Sequence, residues 1–569
     1  MSQRTDAALY LKRDKRYFLL NNHPTAVFTP IVSATAHWWQ SGVIYQIYPR
    51  SFRDANADGI GDLRGIAETL DYCAALGIDA LWLSPIFPSP MADFGYDVAD
   101  YSGIAAIFGT LEDFDDLLTQ TTRRGLKILL DYVPNHTSNQ HPWFAASRSS
   151  RGNSKRDWYL WHDAAPDGGP PNNWLSNFGG SAWEWDEATQ QYYYHSFLKE
   201  QPDLNWRNPE VVAAMHEVLR FWLRRGVAGF RIDVLWLLIK DDQWRDNPPN
   251  PDYKPGMPLF HSQHPLYTTD RPENQDIVAR LRAVVDEFDD RVLVGEIYLP
   301  LERLVAYYGK DLRGVQLPFN FQLLQTPWDA RSIAGLIDRY EAALPVGGWP
   351  NWVLGNHDNP RIASRVGAAQ ARVAGMILLT LRGTPTLYYG DEIGMHNVPI
   401  PADQIQDPLE KNVPGKCLGR DPSRTPMQWD ASPHAGFGDH DPWLPIAADA
   451  NENNVAIEDR DPRSMLSLYR RLLELRRQHA ALSMGSYQPV VATGALLAYV
   501  RYTLAEQLFI VANLGAQPAE FALQSVGRAQ SLLLSTYLDG GTHLTESKLF
   551  LRPDEAVIIA LVPPTPDSP

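Results

Sequence analysis

From Trp38 onward, short apolar runs alternate with longer stretches in which apolar residues recur every three or four positions. The runs at 43–48, 78–83, 126–133, 227–234, 292–297, 315–319, 352–356 and 384–388 have the length and bulk of strands buried on both faces. Between them, 111–124, 211–225 and 273–288 carry helical periodicity. Thr110 ahead of Leu111-Glu112-Asp113 supplies an N-cap and an acidic first turn. Strand and helix in alternation predict a parallel sheet, and about eight such units close into a barrel. The rival is an open doubly wound sheet, but no glycine-rich phosphate turn follows the first strand. After the helical stretch 463–481 the period shifts, and runs at 495–502, 508–512, 531–537 and 556–562 predict antiparallel strands. The expected fold class is α/β: a (β/α)8 TIM barrel with a subdomain inserted after strand three and a C-terminal antiparallel β domain.

Two segments break the rhythm. Residues 134–208 stand where a short loop is due and are rich in Trp, Asn, Gly, Ser and Pro, which marks a functional insertion. Residues 240–272, with Asp246-Asn247-Pro248-Pro249-Asn250-Pro251, follow the fourth strand on the side where barrel active sites are built. The expected organisation is an N-terminal extension at 1–36, a catalytic barrel at 37–485 interrupted by an inserted domain at 137–208, and a β domain at 486–569.

Charge narrows the partners. A net charge of −16 disfavours nucleic acid and anionic membrane surfaces, both of which need a positive field. Two cysteines, Cys73 and Cys417, make no disulfide framework and fit a reducing compartment. Lys12, Arg13, Lys15 and Arg16 precede Tyr17-Phe18-Leu19-Leu20, and Ala34-Thr35-Ala36 resembles a cleavage site. However, Asn21-Asn22-His23-Pro24 interrupts the apolar stretch that a secretory signal needs. No apolar run reaches the length of a membrane span. The expected location is cytoplasmic.

Barrel chemistry sits at the C-terminal strand ends. Here those ends carry Asp131, Asn135 and His136, then Arg231 and Asp233, then Glu296, then His357 and Asp358. Carboxylates, histidines and an arginine gathered at one rim exceed what helix capping requires. Two carboxyls flanking a glycosidic bond are what acid-assisted displacement at an anomeric carbon needs. Arg231 and Asp233, two residues apart, point to one side of the strand, so the guanidinium is expected to keep Asp233 ionised and nucleophilic. Glu296 must then hold a proton at the start and take one from water later.

Gly229-Phe230-Arg231-Ile232-Asp233, Gly295-Glu296, Asn356-His357-Asp358 and Asp131-Tyr132-Val133-Pro134-Asn135-His136 resemble the conserved regions of the α-amylase family, glycoside hydrolase family thirteen. The resemblance runs from Trp38 to the end. It implies Asp233 as nucleophile, Glu296 as acid/base and Asp358 as the carboxylate that holds sugar hydroxyls. It implies also that His136, Arg231 and His357 bind the ring that is cleaved off. Gln201-Pro202-Asp203-Leu204-Asn205 resembles the mark of the oligo-1,6-glucosidase branch, and Asp93-Phe94-Gly95-Tyr96-Asp97 its non-reducing-end pocket. That likeness implies Asp93 as a clamp on terminal hydroxyls, Tyr96 beneath the sugar, and Phe197 and Arg424 as further pocket members. Arg424 lies in Arg424-Thr425-Pro426-Met427-Gln428-Trp429-Asp430.

Asp54-Ala55-Asn56-Ala57-Asp58-Gly59-Ile60-Gly61-Asp62 alternates oxygen ligands as calcium loops do. It is no EF-hand: the twelfth position holds Gly65, and a strand rather than a helix leads in. The family resemblance implies one structural calcium there, on Asp54, Asn56, Asp58, Ile60 and Asp62, with Mg2+ as a second occupant. No organic cofactor is expected.

Val234 follows the nucleophile. The resemblance implies that valine there accompanies α-1,6 preference and a smaller residue α-1,4 preference. The runs Asp241-Asp242-Gln243-Trp244-Arg245-Asp246-Asn247 and Asp407-Pro408-Leu409-Glu410-Lys411-Asn412 look most like bacterial α-glucosidases. Together they favour an exo-acting retaining α-glucosidase on maltose-type substrates, with transglucosylation compatible. The alternatives are an oligo-1,6-glucosidase, a sucrose or maltose isomerase and, remotely, a catalytically dead binding relative. The last would lack triad carboxylates and carry a membrane span. The expected partner is a small α-glucoside, and the expected assembly a monomer or homodimer.

Overall fold

The computed structural model describes residues 36–491 and 494–562. Expectations placed on residues 1–35 lie outside them. The apolar runs form eight parallel strands: β1 (Ile44–Ile47), β2 (Ala80–Leu83), β3 (Lys127–Tyr132), β4 (Gly229–Ile232), β5 (Val292–Ile297), β6 (Leu317–Asn320), β7 (Asn351–Val353) and β8 (Thr384–Tyr388). They pair in the order β7-β8-β1-β2-β3-β4-β5-β6, so that the barrel is hydrogen-bonded everywhere except across the β6/β7 seam. Parallel register is strict, with Ile44 opposite Ala80, Leu129 opposite Gly229 and Arg231 opposite Val294.

Strand alternation divides the apolar side chains in two. Ile44, Trp82, Leu129, Val292, Val294, Leu317, Phe319 and Val353 fill the barrel interior as one cluster. Their neighbours in sequence, such as Tyr45, Leu81, Ile128, Phe230 and Leu293, pack against the surrounding helices in a second, larger core. Gly229 opens β4 with φ +149, where a Cβ would stand 2.0 Å from the carbonyl oxygen of Val292, so only glycine lets β4 and β5 approach this closely.

The helices start where their caps predict. Thr110 Oγ1 accepts the amide of Asp113, and Asp113 accepts the amide of Thr110, closing a capping box on Leu111–Arg123. Asn208 caps Pro209–Arg225, which ends on Gly226 at φ +115. The stretch read as one helix over 463–481 is two, Met465–Gln478 and Ala480–Ser483, because His479 takes an extended backbone.

The insertion after β3 folds as a helix, Pro142–Ser149, and a small antiparallel sheet of Trp161–His162, Gln191–Tyr194 and Trp183–Asp186. The C-terminal region is a five-stranded antiparallel sheet, in the order Ser486–Val490, Leu496–Tyr502, Gln507–Asn513, Ala556–Leu561, Ala529–Ser535. Beside it lies a three-stranded one of Ala519–Ala522, Lys548–Leu551 and His543–Leu544. Tyr499, Ile510 and Ile558 from the larger sheet share a core with Leu468 and Leu472 of the preceding helix. Among the described residues no helix is long and apolar enough to cross a membrane.

Candidate active site

The two-residue period that fills the barrel also builds the site. Asp131 stands one step above Leu129, Arg231 one step above Gly229 and Glu296 one step above Val294 along the inward face, and Asp233 follows one step beyond Arg231, just past the end of β4. All four are buried.

Arg231 is the hub. Its Nη1 donates to Asp131 Oδ1 at 2.7 Å and to Asp233 Oδ1 at 2.8 Å, and its Nη2 lies 2.6 Å from Glu296 Oε2. The sequence leads one to expect that this guanidinium keeps Asp233 ionised, but here it is divided among three carboxyls. Burial therefore prevails: the carboxyls of Asp131, Asp233 and Glu296 are all pushed up, with Arg231 opposing only in part. Three carboxyls around one cation titrate as a set. One guanidinium bridging Asp233 and Glu296 draws them together, and a double displacement uses a separation of about 5–5.5 Å.

Val234 turns sharply out of β4 in the left-handed region, φ +37 and ψ +44, which a β-branched residue rarely visits. The turn aims its amide at Glu296 Oε2, 2.8 Å away. Both bonds that hold Glu296 fall on Oε2, while Asp233 is held through Oδ1. Both residues line a cavity of about 450 Å³.

On the wall of that cavity Asp93 pairs with Arg420 at 2.7 Å. Burial raises Asp93 to about 6 against the pull of Arg420 and Arg424. Asp97 accepts the amides of Ala92 and Asp93, which fixes this loop. Tyr96 stacks on His357, centroids 5.4 Å apart and planes within 3°, and donates to Asp131 Oδ2 at 2.9 Å. Burial holds His357 far below the usual histidine range, so it is neutral. Asp358 is also buried, but the guanidiniums of Arg420 and Arg424 outweigh that burial and hold its carboxyl below the usual range, ionised.

Arg424 is placed differently from the expectation. It is fully buried, gives Nε to the His357 carbonyl at 2.7 Å and Nη2 to Asp358 Oδ1 at 2.9 Å, and does not line the cavity. Arg420 does, bonded to Asp93 and to Asp407 at 2.7 Å each and lying 3.4 Å from Asp358. Sequence reasoning missed Arg420; two arginines four apart carried the only signal, and packing decides which one reaches the cavity.

The inserted region supplies the opposite wall. Phe197 meets the edge of His136 with centroids 5.3 Å apart, and both line the cavity. Gln201, seen in the sequence only as part of a motif, donates to Asp93 Oδ2 at 3.4 Å. Trp236, Pro265, Tyr298, Leu409 and Leu418 complete the wall; of these only Leu409 stands in a run the sequence pointed to, because isolated apolar residues outside the strands carry no periodic signal. Loops 250–270 and 407–420 meet where Lys416 Nζ donates to the Gly256 carbonyl at 2.7 Å.

In the loop after β1, Asp54 accepts the amides of Ala57 and Gly59 at 2.7 and 2.8 Å, and Asp62 those of Ala55 and Gly65 at 3.0 and 2.7 Å. Asn56 accepts from Asp58, and Asp58 from Ile60. Among the described residues, no group of three acidic, histidine or cysteine side chains is arranged to hold a metal. Asp54 and Asp62 are nonetheless buried, and burial raises Asp62, whose proximity to Asp54 adds to the rise.

The family model for the alpha-amylase catalytic domain matches residues 46–485. A probable alpha-glucosidase of Rhizobium meliloti is 43% identical over 501 residues, covering 85% of this chain and 90% of its own. An oligo-1,6-glucosidase of Halalkalibacterium halodurans is 38% identical over 560 residues, covering 92% and 98%. The crystal structure of an alpha-glucosyl transfer enzyme, XgtA, superposes with a TM-score of 0.88 at 39% identity, covering 93% of this chain and all of that one.

Proposed function

The chain belongs to the alpha-amylase family, and from that premise we propose that it is an exo-acting retaining α-glucosidase that frees glucose from the non-reducing end of short α-glucosides such as maltose. The observation that carries this reading is one guanidinium, Arg231, bonded to both Asp233 and Glu296, beside a cavity that these two carboxyls line together with the Asp93–Arg420 pair. In this reading the charged pair closes the cavity behind one terminal ring and leaves no room for a continuing chain.

Asp233 attacks the anomeric carbon while Glu296, whose carboxyl burial pushes up, delivers its proton to the departing oxygen. The covalent glucosyl-Asp233 is then released by water, whose proton Glu296 takes back. Asp358, kept ionised by its cationic neighbours, holds ring hydroxyls with Arg420. An alcohol or sugar entering in place of water gives transglucosylation by the same steps.

Replacing Glu296 by Gln tests the assignment. Turnover of 4-nitrophenyl α-glucoside should fall by about 10²–10⁴; unchanged turnover would remove Glu296 from the mechanism. Proton NMR of first-formed glucose should show the α anomer, and an initial β signal would exclude retention. A product profile on maltose, isomaltose, sucrose and trehalose separates hydrolysis of α-1,4 from α-1,6 bonds, and both from isomerisation.

The loop after β1 is proposed to hold Ca2+, with Mg2+ able to replace it. Asp54, Asn56, Asp58, Asp62 and the Ile60 carbonyl offer hard oxygen donors, and carboxylate oxygens bonded to amides keep a second lone pair. The ion would neutralise two buried carboxylates that have no ion pair among the described residues. A cytoplasmic location fits Cys73 and Cys417, both free thiols in the structure, and a monomer or homodimer is the assembly proposed.

A further inference from the structure

His136 faces the proposed glucose site, and which of its nitrogens carries the proton decides whether it donates or accepts there. Beneath it lies a buried polar cluster that the mechanism above leaves unused. Lys240 is buried in the turn beyond β4, and its Nζ bonds Asn135 Oδ1 at 2.7 Å and Asp203 Oδ2. Asn135 Nδ2 in turn faces Asp203 Oδ2 at 2.9 Å and His136 Nδ1 at 3.1 Å. Asp203 is held by the amide of Ser196 at 2.7 Å and its hydroxyl at 2.7 Å.

The donor inventory allows one arrangement. An ammonium only donates, so the Asn135 atom it meets is oxygen. An ionised carboxylate only accepts, so the Asn135 atom facing Asp203 is the NH2 group. That group's second hydrogen points at His136 Nδ1, which must accept. The ring proton is therefore on Nε2, where the Tyr96 carbonyl lies 3.1 Å away. Gln201 is oriented independently, because its Oε1 accepts the amide of Leu198 at 3.1 Å, which leaves its NH2 3.1 Å from His136 Nε2. Two N–H groups then stand side by side, the ring N–H toward the Tyr96 carbonyl and one amide hydrogen toward Asp93 Oδ2; a hydroxyl oxygen between them would share the ring N–H with Tyr96 in a three-centre bond and take the second amide hydrogen.

We infer that Lys240 is a positioning residue that fixes His136 in the neutral Nε2–H form through Asn135, so that His136 and Gln201 present paired donors to a substrate hydroxyl. The inference rests on the glucosidase reading only for the identity of that hydroxyl. The ring spectrum is read without substrate, so failure of that reading would appear separately, as no glucose release by the unaltered protein.

The test uses the full chain labelled with [15N]histidine, with His136 assigned by difference against His136→Gln. In the unaltered protein Nδ1 should show the shift of an unprotonated nitrogen and Nε2 that of a protonated one. A protonated Nδ1 overturns the inference, and this measurement needs no variant of Lys240. The second arm is Lys240→Met combined with Asp203→Asn, which leaves no lone buried charge. Asn135 is then free to turn over, so the His136 signals should move towards Nδ1–H. With them kcat/KM on 4-nitrophenyl α-glucoside should fall at least tenfold. A fall in kcat/KM with the His136 signals unmoved would show a merely structural role and also overturn it.

Discussion

Val234 concentrates strain where the chemistry is. A β-branched residue held at φ +37 and ψ +44 costs of order 1–3 kcal/mol. The same turn directs its amide to Glu296 and its side chain to the cavity. The two functions separate by substitution. Val234→Ala keeps the amide and shrinks the wall, so the ratio of kcat/KM for maltose over isomaltose should rise by a factor worth about 1–3 kcal/mol. The acid/base behaviour should stay, because the backbone bond to Glu296 persists. An unchanged ratio would remove Val234 from the choice of linkage.

Among the elements, the helix Met465–Gln478 is tied at its first turn by Glu458, whose Oε2 accepts the Leu466 amide at 2.8 Å. Burial raises this carboxyl to about 7. A carboxyl with a folded pKa above its unfolded one lends stability below the unfolded pKa, and loses it as pH rises through the folded one. Glu458→Gln should therefore differ little in Tm from the unaltered protein at pH 5 and gain on it by pH 8. A difference that does not move with pH would mean that Glu458 is not titrating there. Legibility in the sequence also varied by element. β5 and β8 were readable to the residue, because each is a short run of β-branched and other bulky residues that lacks helical period. The sheet of Trp161–His162, Trp183–Asp186 and Gln191–Tyr194 was not, since its aromatic residues pack on one another in loops and follow no period. The site divides the same way. Asp233 and Glu296 stand at strand ends that the pattern locates, whereas Arg420 reaches the cavity only through the packing of a loop.

Across the whole molecule, the loop after β1 is a junction. The amide of Asp54 donates to the Phe437 carbonyl at 2.8 Å, and that of Trp443 to the Gly59 carbonyl at 3.0 Å, which joins the start of the barrel to the chain beyond Trp429. An ion bound at this loop would stabilise the folded state alone, so chelation should lower Tm and added Ca2+ restore it. No shift, with no metal found by elemental analysis, would leave the loop as an amide-stabilised turn. The Asp93–Arg420 pair has a consequence of a different kind. If that pair closes one end, as proposed, the site imposes a queue: the first product must leave by the way the acceptor will enter, and glucose, last to depart, blocks the next arrival. Turnover should then follow a ping-pong order, with free glucose competing against substrate for the same threshold.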